Sequence, residues 1–198
     1  MSQILLLQSS LNGPASRTNQ LMERFLQTRR EQGHQDQVVV RDLTALDLPA
    51  LDSPLFHALR GAEPANEAIR QAVALSDRLI AELKAADLLL IGAPMYNLNV
   101  PTPLKNWFDL VARARVTFRY TDTYPMGLVE GVNALVFSSR GGVHQGQATD
   151  AVTPYLQSVL GLMGIAVEFV YAEGMDLRPH GAEQGMREAH ARIAGLGR

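Results

Sequence analysis

Ile91-Gly92-Ala93-Pro94-Met95-Tyr96-Asn97-Leu98-Asn99-Val100-Pro101-Thr102-Pro103 is the stretch whose reading decides the fold. It begins at the end of an apolar run, Leu88-Leu89-Leu90-Ile91, which breaks into a small-residue turn. A tyrosine and two asparagines follow, and a helix opens at Thr102-Pro103. Thr102 reads as the cap and Pro103 as the first helical residue, where no amide hydrogen is needed. Leu104, Trp107, Phe108, Val111 and Ala112 then recur at helical spacing on one face, which makes Trp107 a core residue. Lys105, Asp109 and Arg113 sit at i, i+4 spacing on the solvent side. An unbroken apolar run ending this way is the exit of a parallel strand covered on both faces. In open α/β sheets, ligands bind outside the carboxyl ends of such strands.

The same grammar repeats on both sides of this stretch. Upstream, Ile4-Leu5-Leu6-Leu7 is a buried strand, followed by a polar loop from Gln8 to Asn19. Leu21, Met22, Phe25 and Leu26 mark a helix that Ser16 or Thr18 caps and Gly33 closes. Val38-Val39-Val40 reads as a second buried strand. Leu43 to Ala65, with Pro49, Pro54, Gly61 and Pro64, is a long connection: either a lid or a surface excursion packing its own apolar residues. A helix from about Asn66 to Lys84 leads into the strand Asp87 to Gly92. Downstream, Arg115 to Glu130 is a second long connection. Val132 to Phe137 is a fourth strand, ending in Ser138-Ser139-Arg140-Gly141-Gly142. Val152, Tyr155, Leu156, Val159, Leu160 and Met163 mark a helix, and Ile165 to Tyr171 a fifth strand. Gln184 to Ile193 reads as a last helix covering an edge. Alternating βα units with buried strands imply an α/β, doubly wound, five-stranded parallel sheet, for which right-handed crossovers favour the order 2-1-3-4-5.

Composition narrows the class. The 198 residues are 46% hydrophobic and 19% charged, enough for one domain over residues 1–198. A net charge of −2 with scattered basic residues gives no footprint for nucleic acid. With no cysteine, the chain has no disulfide, thiolate nucleophile or cysteine-ligated metal. The opening Met1 to Leu7 lacks a basic n-region and is too short to span a membrane, so a cytoplasmic protein is expected.

In the order 2-1-3-4-5 the loops after strands 1, 3 and 4 share one rim. In the first, the hydroxyls of Ser10, Ser16 and Thr18, the Arg17 charge and a helix N-terminus suit a monophosphate; equally, Ser16 and Thr18 only cap the helix. The loop has neither a Gly-x-Gly-x-x-Gly nor a Gly-Lys-Ser/Thr motif, which argues against a dinucleotide or triphosphate there. In the third-strand loop, Met95, Tyr96, Asn97 and Leu98 offer backbone groups for the polar edge of a flat ring and a thioether for its face. In the fourth, Ser139, Arg140, Gly141 and Gly142 offer amide donors that a ligand can approach closely. Plain turns remain the alternative for both. The five histidines show no metal spacing, and His144 is either near the site or an ordinary loop residue. No Gly-x-Ser-x-Gly elbow is present.

These residues carry a family resemblance. The Ser9-Ser10 turn with Ser16 to Asn19, Ala93-Pro94-Met95-Tyr96-Asn97, Leu104-Lys105-Asn106-Trp107-Phe108-Asp109, Val116-Thr117-Phe118-Arg119-Tyr120-Thr121 and Ser139-Arg140-Gly141-Gly142 resemble those of FMN-dependent NADH-azoreductases. The likeness runs from Ile4 to about Gly174. It implies a flavodoxin-like fold in a homodimer with FMN near the interface. FMN would have its phosphate at Ser10, Ser16, Arg17 and Thr18, its ring on Met95 to Leu98, and Ser139 to Gly142 at the pyrimidine edge. It further implies ping-pong electron transfer from NADH or NADPH to azo compounds and quinones, with Arg60, Phe118, Tyr120 and His144 as acceptor contacts. Two positions depart from the pattern: Ser16-Arg17-Thr18 replaces the usual Ser-x-Ser, and Leu98 replaces a frequent aromatic. The rivals are a quinone reductase with incidental azo reduction and a flavodoxin-type electron carrier. Carriers tend to be strongly acidic, and two long connections at the rim favour a pocket.

Overall fold

A computed structural model describes residues 1–196. Its centre is a parallel sheet of β1 (Gln3–Gln8), β2 (Gln37–Asp42), β3 (Leu88–Gly92), β6 (Asn133–Ser139) and β7 (Ala166–Ala172), in the order β2-β1-β3-β6-β7. This is the expected 2-1-3-4-5 arrangement of the main strands. A short antiparallel hairpin, β4 (Phe118–Arg119) and β5 (Met126–Gly127), sits in the connection before β6. The helices are α1 (Arg17–Glu31), α2 (Ser53–Ala58), α3 (Glu67–Ala85), α4 (Thr102–Val111), α5 (Val152–Met163) and α6 (Gly181–Leu196).

Side chains alternate across the strands, so the unbroken apolar runs feed two cores at once. Leu5, Leu7, Leu89, Ile91, Ala134 and Val136 meet α3, α4 and α5 on one face. Ile4, Leu6, Leu90, Leu135 and Phe137 meet α1 and α6 on the other. Register keeps the layers aligned, with Leu5 beside Leu89, Leu89 beside Ala134, and Ala134 beside Val167.

Three local readings are corrected. Val38, Val39 and Val40 are exposed, because β2 ends the sheet and pairs only with β1. At the start of α4, Pro101 occupies the cap position, Thr102 is already helical, and no side chain caps the helix. Ser138 and Ser139 belong to β6 rather than to the loop after it. The Leu43 to Ala65 connection packs its own apolar residues: it contains α2 and buries Leu43, Leu48, Leu55 and Leu59. Among the described residues no helix is long and apolar enough to cross a membrane.

The end of α1 is tied to the approach to β2 by a two-bond ion pair, Arg29 Nε to Asp36 Oδ2 at 2.6 Å and Nη2 to Oδ1 at 2.8 Å. The Arg29 hydrogen bond holds the Asp36 carboxyl below its ordinary value of 3.8, against the opposing effect of burial. Asp36→Asn should therefore cost about 1–3 kcal/mol at pH 7. Because the folded-state pKa is depressed, that contribution is complete above the unfolded pKa and fades as pH falls through the folded one. Urea unfolding from pH 7 downward should show wild type and variant converging below about pH 4; a gap that persists unchanged in acid contradicts this account.

Candidate functional site

The loops after β1, β3 and β6 are stitched into one rim. Ser9 Oγ donates to the Gly92 carbonyl at 2.6 Å. The Tyr96 hydroxyl lies 3.2 Å from Ser10 Oγ and accepts the Leu11 amide at 3.1 Å. The Met95 amide donates to the Ser139 carbonyl at 2.9 Å. Between these loops lies a cavity of about 350 Å³. Asn12, Ala15 and Arg17 line it from the first loop, Pro94, Met95 and Tyr96 from the third-strand loop, and Ser139, Arg140 and Gly141 from the fourth. A further wall comes from beyond β7, with Met175, Asp176 and Ala182.

Each loop turns backbone amides away from the protein's own acceptors. Ser16 Oγ accepts the Asn19 amide at 3.1 Å and contacts Thr18 Oγ1 at 3.0 Å, so these hydroxyls do cap α1. The first amides of the helix, at Arg17 and Thr18, have no intrahelical acceptor, and the helix dipole makes that end attractive to an anion. In the third-strand loop, paired Tyr96–Asn99 backbone bonds of 2.9 and 3.0 Å close a tight turn. Asn97 and Leu98 take left-handed conformations there, with φ of 49° and 64°. For a leucine this costs roughly 1–2 kcal/mol, and strain of this kind gathers at ligand sites. In the fourth loop, the carbonyls of Arg140, Gly141 and Gly142 accept from Met175, Asp176 and Gly174 at 3.0, 3.0 and 2.9 Å. Among the described residues, the amides of Asn97, Leu98, Gly141 and Gly142 meet no protein acceptor. A Cβ at Gly141 would overlap the Asp176 carboxylate, and one at Gly142 would lie 2.9 Å from His144 Nε2. Either substitution would push a neighbouring side chain aside, Asp176 at the first and His144 at the second.

The structure gathers most of the expected residues but separates some. Arg17, Met95, Tyr96, Ser139 and Gly141 line the cavity, while Ser10 adjoins it through Tyr96. Ser16 and Thr18 are buried beneath it, and Asn97, Leu98 and Gly142 continue its wall-forming turns. Arg140 is corrected in one respect: its amide is no free donor, because it bonds to the Ala172 carbonyl at 2.9 Å. Its backbone borders the cavity, and its buried guanidinium turns away to Asp150, Glu173 and Thr153. Arg60 and Phe118 line a separate hollow of about 140 Å³ between α2, α4 and the hairpin. There Arg60 stacks on Phe56 at 3.8 Å, and Tyr120, 66% exposed, meets Phe118 edge-on. His144 stands beside the fourth loop: its Nδ1 is 2.8 Å from Thr149 Oγ1, and its Nε2 would lie 2.9 Å from a Cβ at Gly142.

Met175, Asp176 and Ala182 are cavity residues that the sequence reading misses. Glu173-Gly174-Met175-Asp176 follows the fifth strand directly, so the carboxyl-end rule applied once more would have found it. A larger hollow of about 750 Å³ runs along the β7 edge past Glu168, Phe169, Glu188 and Arg192. It gathers none of the free amides and is not the site.

This rim sits on a chain that matches a family model described as a flavodoxin-like fold over residues 2–196. The chain belongs to that family. An FMN-dependent NADH:quinone oxidoreductase of Burkholderia lata is 66% identical over 197 residues, covering 99% of both chains. One from Escherichia coli is 50% identical over 195 residues, covering 98% of this chain and 97% of that one. Among solved structures, an azoreductase from Bacillus anthracis superposes with a TM-score of 0.86 at 28% identity, covering 100% of this chain and 99% of that one.

Proposed function

We infer that this flavodoxin-like chain is an FMN-dependent NADH:quinone oxidoreductase that also reduces azo compounds. The observation that carries the reading is one cavity walled by three loops, with Arg17 and a helix N-terminus on one side, the acceptorless Gly141 amide on another, and the turn bearing the free Asn97 and Leu98 amides continuing from Tyr96. That donor set matches FMN, which combines a dianionic phosphate with a ring whose pyrimidine edge is rich in acceptors. The phosphate belongs at Ser10, Ser16, Arg17 and Thr18, where Ser16 can cap α1 through its lone pair and still donate its proton. The ring belongs against Met95, Tyr96, Asn97 and Leu98, with Ser139, Arg140, Gly141 and Gly142 presenting backbone to its edge. When bound, FMN takes electrons from reduced nicotinamide and hands them to the acceptor. The chain supplies position and polarity: the Gly141 and Gly142 amides would stabilise the negative charge that builds on the ring on reduction, and the tight turn at Asn97 and Leu98 would help to seat it.

Acceptors of this class are flat and conjugated. Arg60, Phe118 and Tyr120 offer a cation and two rings, but Arg60 and Phe118 line their own hollow with Tyr120 against Phe118, while His144 stands beside the fourth loop. The reading is therefore a homodimer in which these walls face FMN across the interface. The exposed Leu98 and Tyr120 side chains are consistent with such a contact. Residues 1–198 act as one FMN-binding unit, working on small molecules in the cytoplasm, with neither nucleic acid nor membrane as partner.

Purified protein should be yellow and release FMN on denaturation. FMN-loaded protein should oxidise NADH only when a quinone or azo dye is supplied. Absence of acceptor-dependent turnover would overturn the enzyme reading in favour of an electron carrier. A kcat/KM for quinones far above that for azo dyes would mark azo reduction as incidental.

A further inference from the structure

Among the described residues Arg140 is the largest fully buried charged side chain, and the chemistry above makes no use of its guanidinium. Its surroundings are unusually complete. Nε donates to Ser138 Oγ at 3.2 Å and Nη2 to Thr153 Oγ1 at 2.9 Å. Nη1 pairs with Asp150 Oδ2 at 3.0 Å and Glu173 Oε1 at 3.2 Å, and the Tyr171 ring lies beneath the guanidinium carbon at 4.7 Å. Burial pushes the Asp150 carboxyl up, but hydrogen bonds from Thr153 and Arg140 bring it below its ordinary value, so it remains ionised.

These partners tie together the chain on every side of the Gly141–Gly142 turn. Ser138 is the strand entering it. Glu173 Oε1 also accepts the amides of His144 and Gln145, both at 2.8 Å, and so grips the chain leaving it. Asp150 Oδ1 accepts the Thr153 amide at 3.1 Å, which brings in the first turn of α5, while Tyr171 brings in β7. A buried ion cluster of this kind contributes little net stability compared with apolar packing, because the desolvation penalty offsets its attraction. What it does provide is a fixed geometry: a planar fork with four directed bonds has one seat.

We propose that Arg140 is a positioning residue, whose buried fork to Ser138, Asp150, Thr153 and Glu173 holds the Gly141 and Gly142 amides in register for the reduced flavin without touching it. The inference rests on the FMN assignment above. Donors held in place favour the anionic reduced ring over the neutral oxidised one, so loosening them weakens binding of the reduced form more than of the oxidised form.

The test measures the affinity of FMN in both redox states, with the midpoint potential of the bound flavin as a second readout. Arg140→Lys keeps the charge but loses the fork. It should lower the ratio of reduced to oxidised affinity about tenfold, a midpoint about 30 mV more negative for a two-electron couple. Thr153→Val removes one acceptor and no charge, and should shift the ratio the same way by about threefold, taking a fraction of the effect. Asp36→Asn, remote from the site, controls for lost stability and should leave the ratio unchanged. Ratios within twofold of wild type in both cluster variants, even with lowered melting temperatures, would make the cluster purely structural and overturn the proposal. If Arg140→Lys does not fold, Thr153→Val alone decides. Failure of the wild-type protein to bind FMN is a different result and refutes the assignment on which the inference rests.

Discussion

Gly141→Val should weaken FMN binding by about two orders of magnitude, about 2.8 kcal/mol at 1.4 kcal/mol per tenfold. The first side-chain atom already overlaps the Asp176 carboxylate, and Asp176 Cγ lies 3.2 Å from it. Relief swings the Asp176 carboxylate, itself part of the cavity wall, into a new position, while the backbone bonds from Asp176 to Gly141 and from Met175 to Arg140, both 3.0 Å, keep the two loops paired. Overpacking of this kind costs about 1–3 kcal/mol, and here the cost falls on the geometry that presents the amides. Gly161 serves as the control. It lies within α5, where a methyl group would meet nothing within 4 Å, so Gly161→Ala should leave FMN affinity within twofold. The same change should raise stability by roughly 0.5–1 kcal/mol. Fluorescence titration with FMN reads both variants. A Gly141→Val affinity within threefold of wild type would remove the fourth loop from the site.

How much of this is readable from the chain depends on whether a feature is encoded locally. Trp107 and the strands around Leu89 are legible because the periodicity of apolar residues reports directly on which faces are covered. The sheet order follows from strand count and handed crossovers. Val38-Val39-Val40 misleads because a β-branched run looks the same in a central strand and at an edge; only the absence of a neighbour beyond β2 separates them. Arg140 misleads for another reason. Its amide reads as a free donor on a site-forming loop, yet it bonds to the Ala172 carbonyl, and its guanidinium is directed by Asp150 and Glu173. The cavity wall at Asp176 depends in the same way on a loop pairing that no local pattern announces. Arg60, Phe118 and Tyr120 do gather in space, but beside α4 rather than at the cavity rim.

Trp107→Ala should cost about 3–5 kcal/mol, the range for emptying a large buried aromatic site. The indole is fully buried, meets Phe108 edge-on at a centroid distance of 5.1 Å, and Phe108 in turn meets Tyr155 at 5.9 Å. Its removal opens the seam where α4 packs on the sheet and α3. Against a total stability on the order of 5–15 kcal/mol, that is a large share. Trp107→Phe should behave differently. The indole Nε1 has no hydrogen-bond partner among the described residues, so replacing it forfeits packing volume but no bond. Its cost should stay below about 2 kcal/mol, in keeping with a swap between apolar ring shapes. The effect reaches the site because α4 begins immediately beyond the Tyr96–Asn99 turn, through Val100 and Pro101. Loosening α4 frees one end of the segment that seats the ring. Urea unfolding of apo and FMN-loaded protein should therefore show Trp107→Ala losing stability in both states and gaining less from FMN than wild type does. Equal losses for the Phe and Ala variants would mean that the Trp107 nitrogen has a partner after all, and an unchanged gain from FMN would uncouple α4 from the flavin's seat.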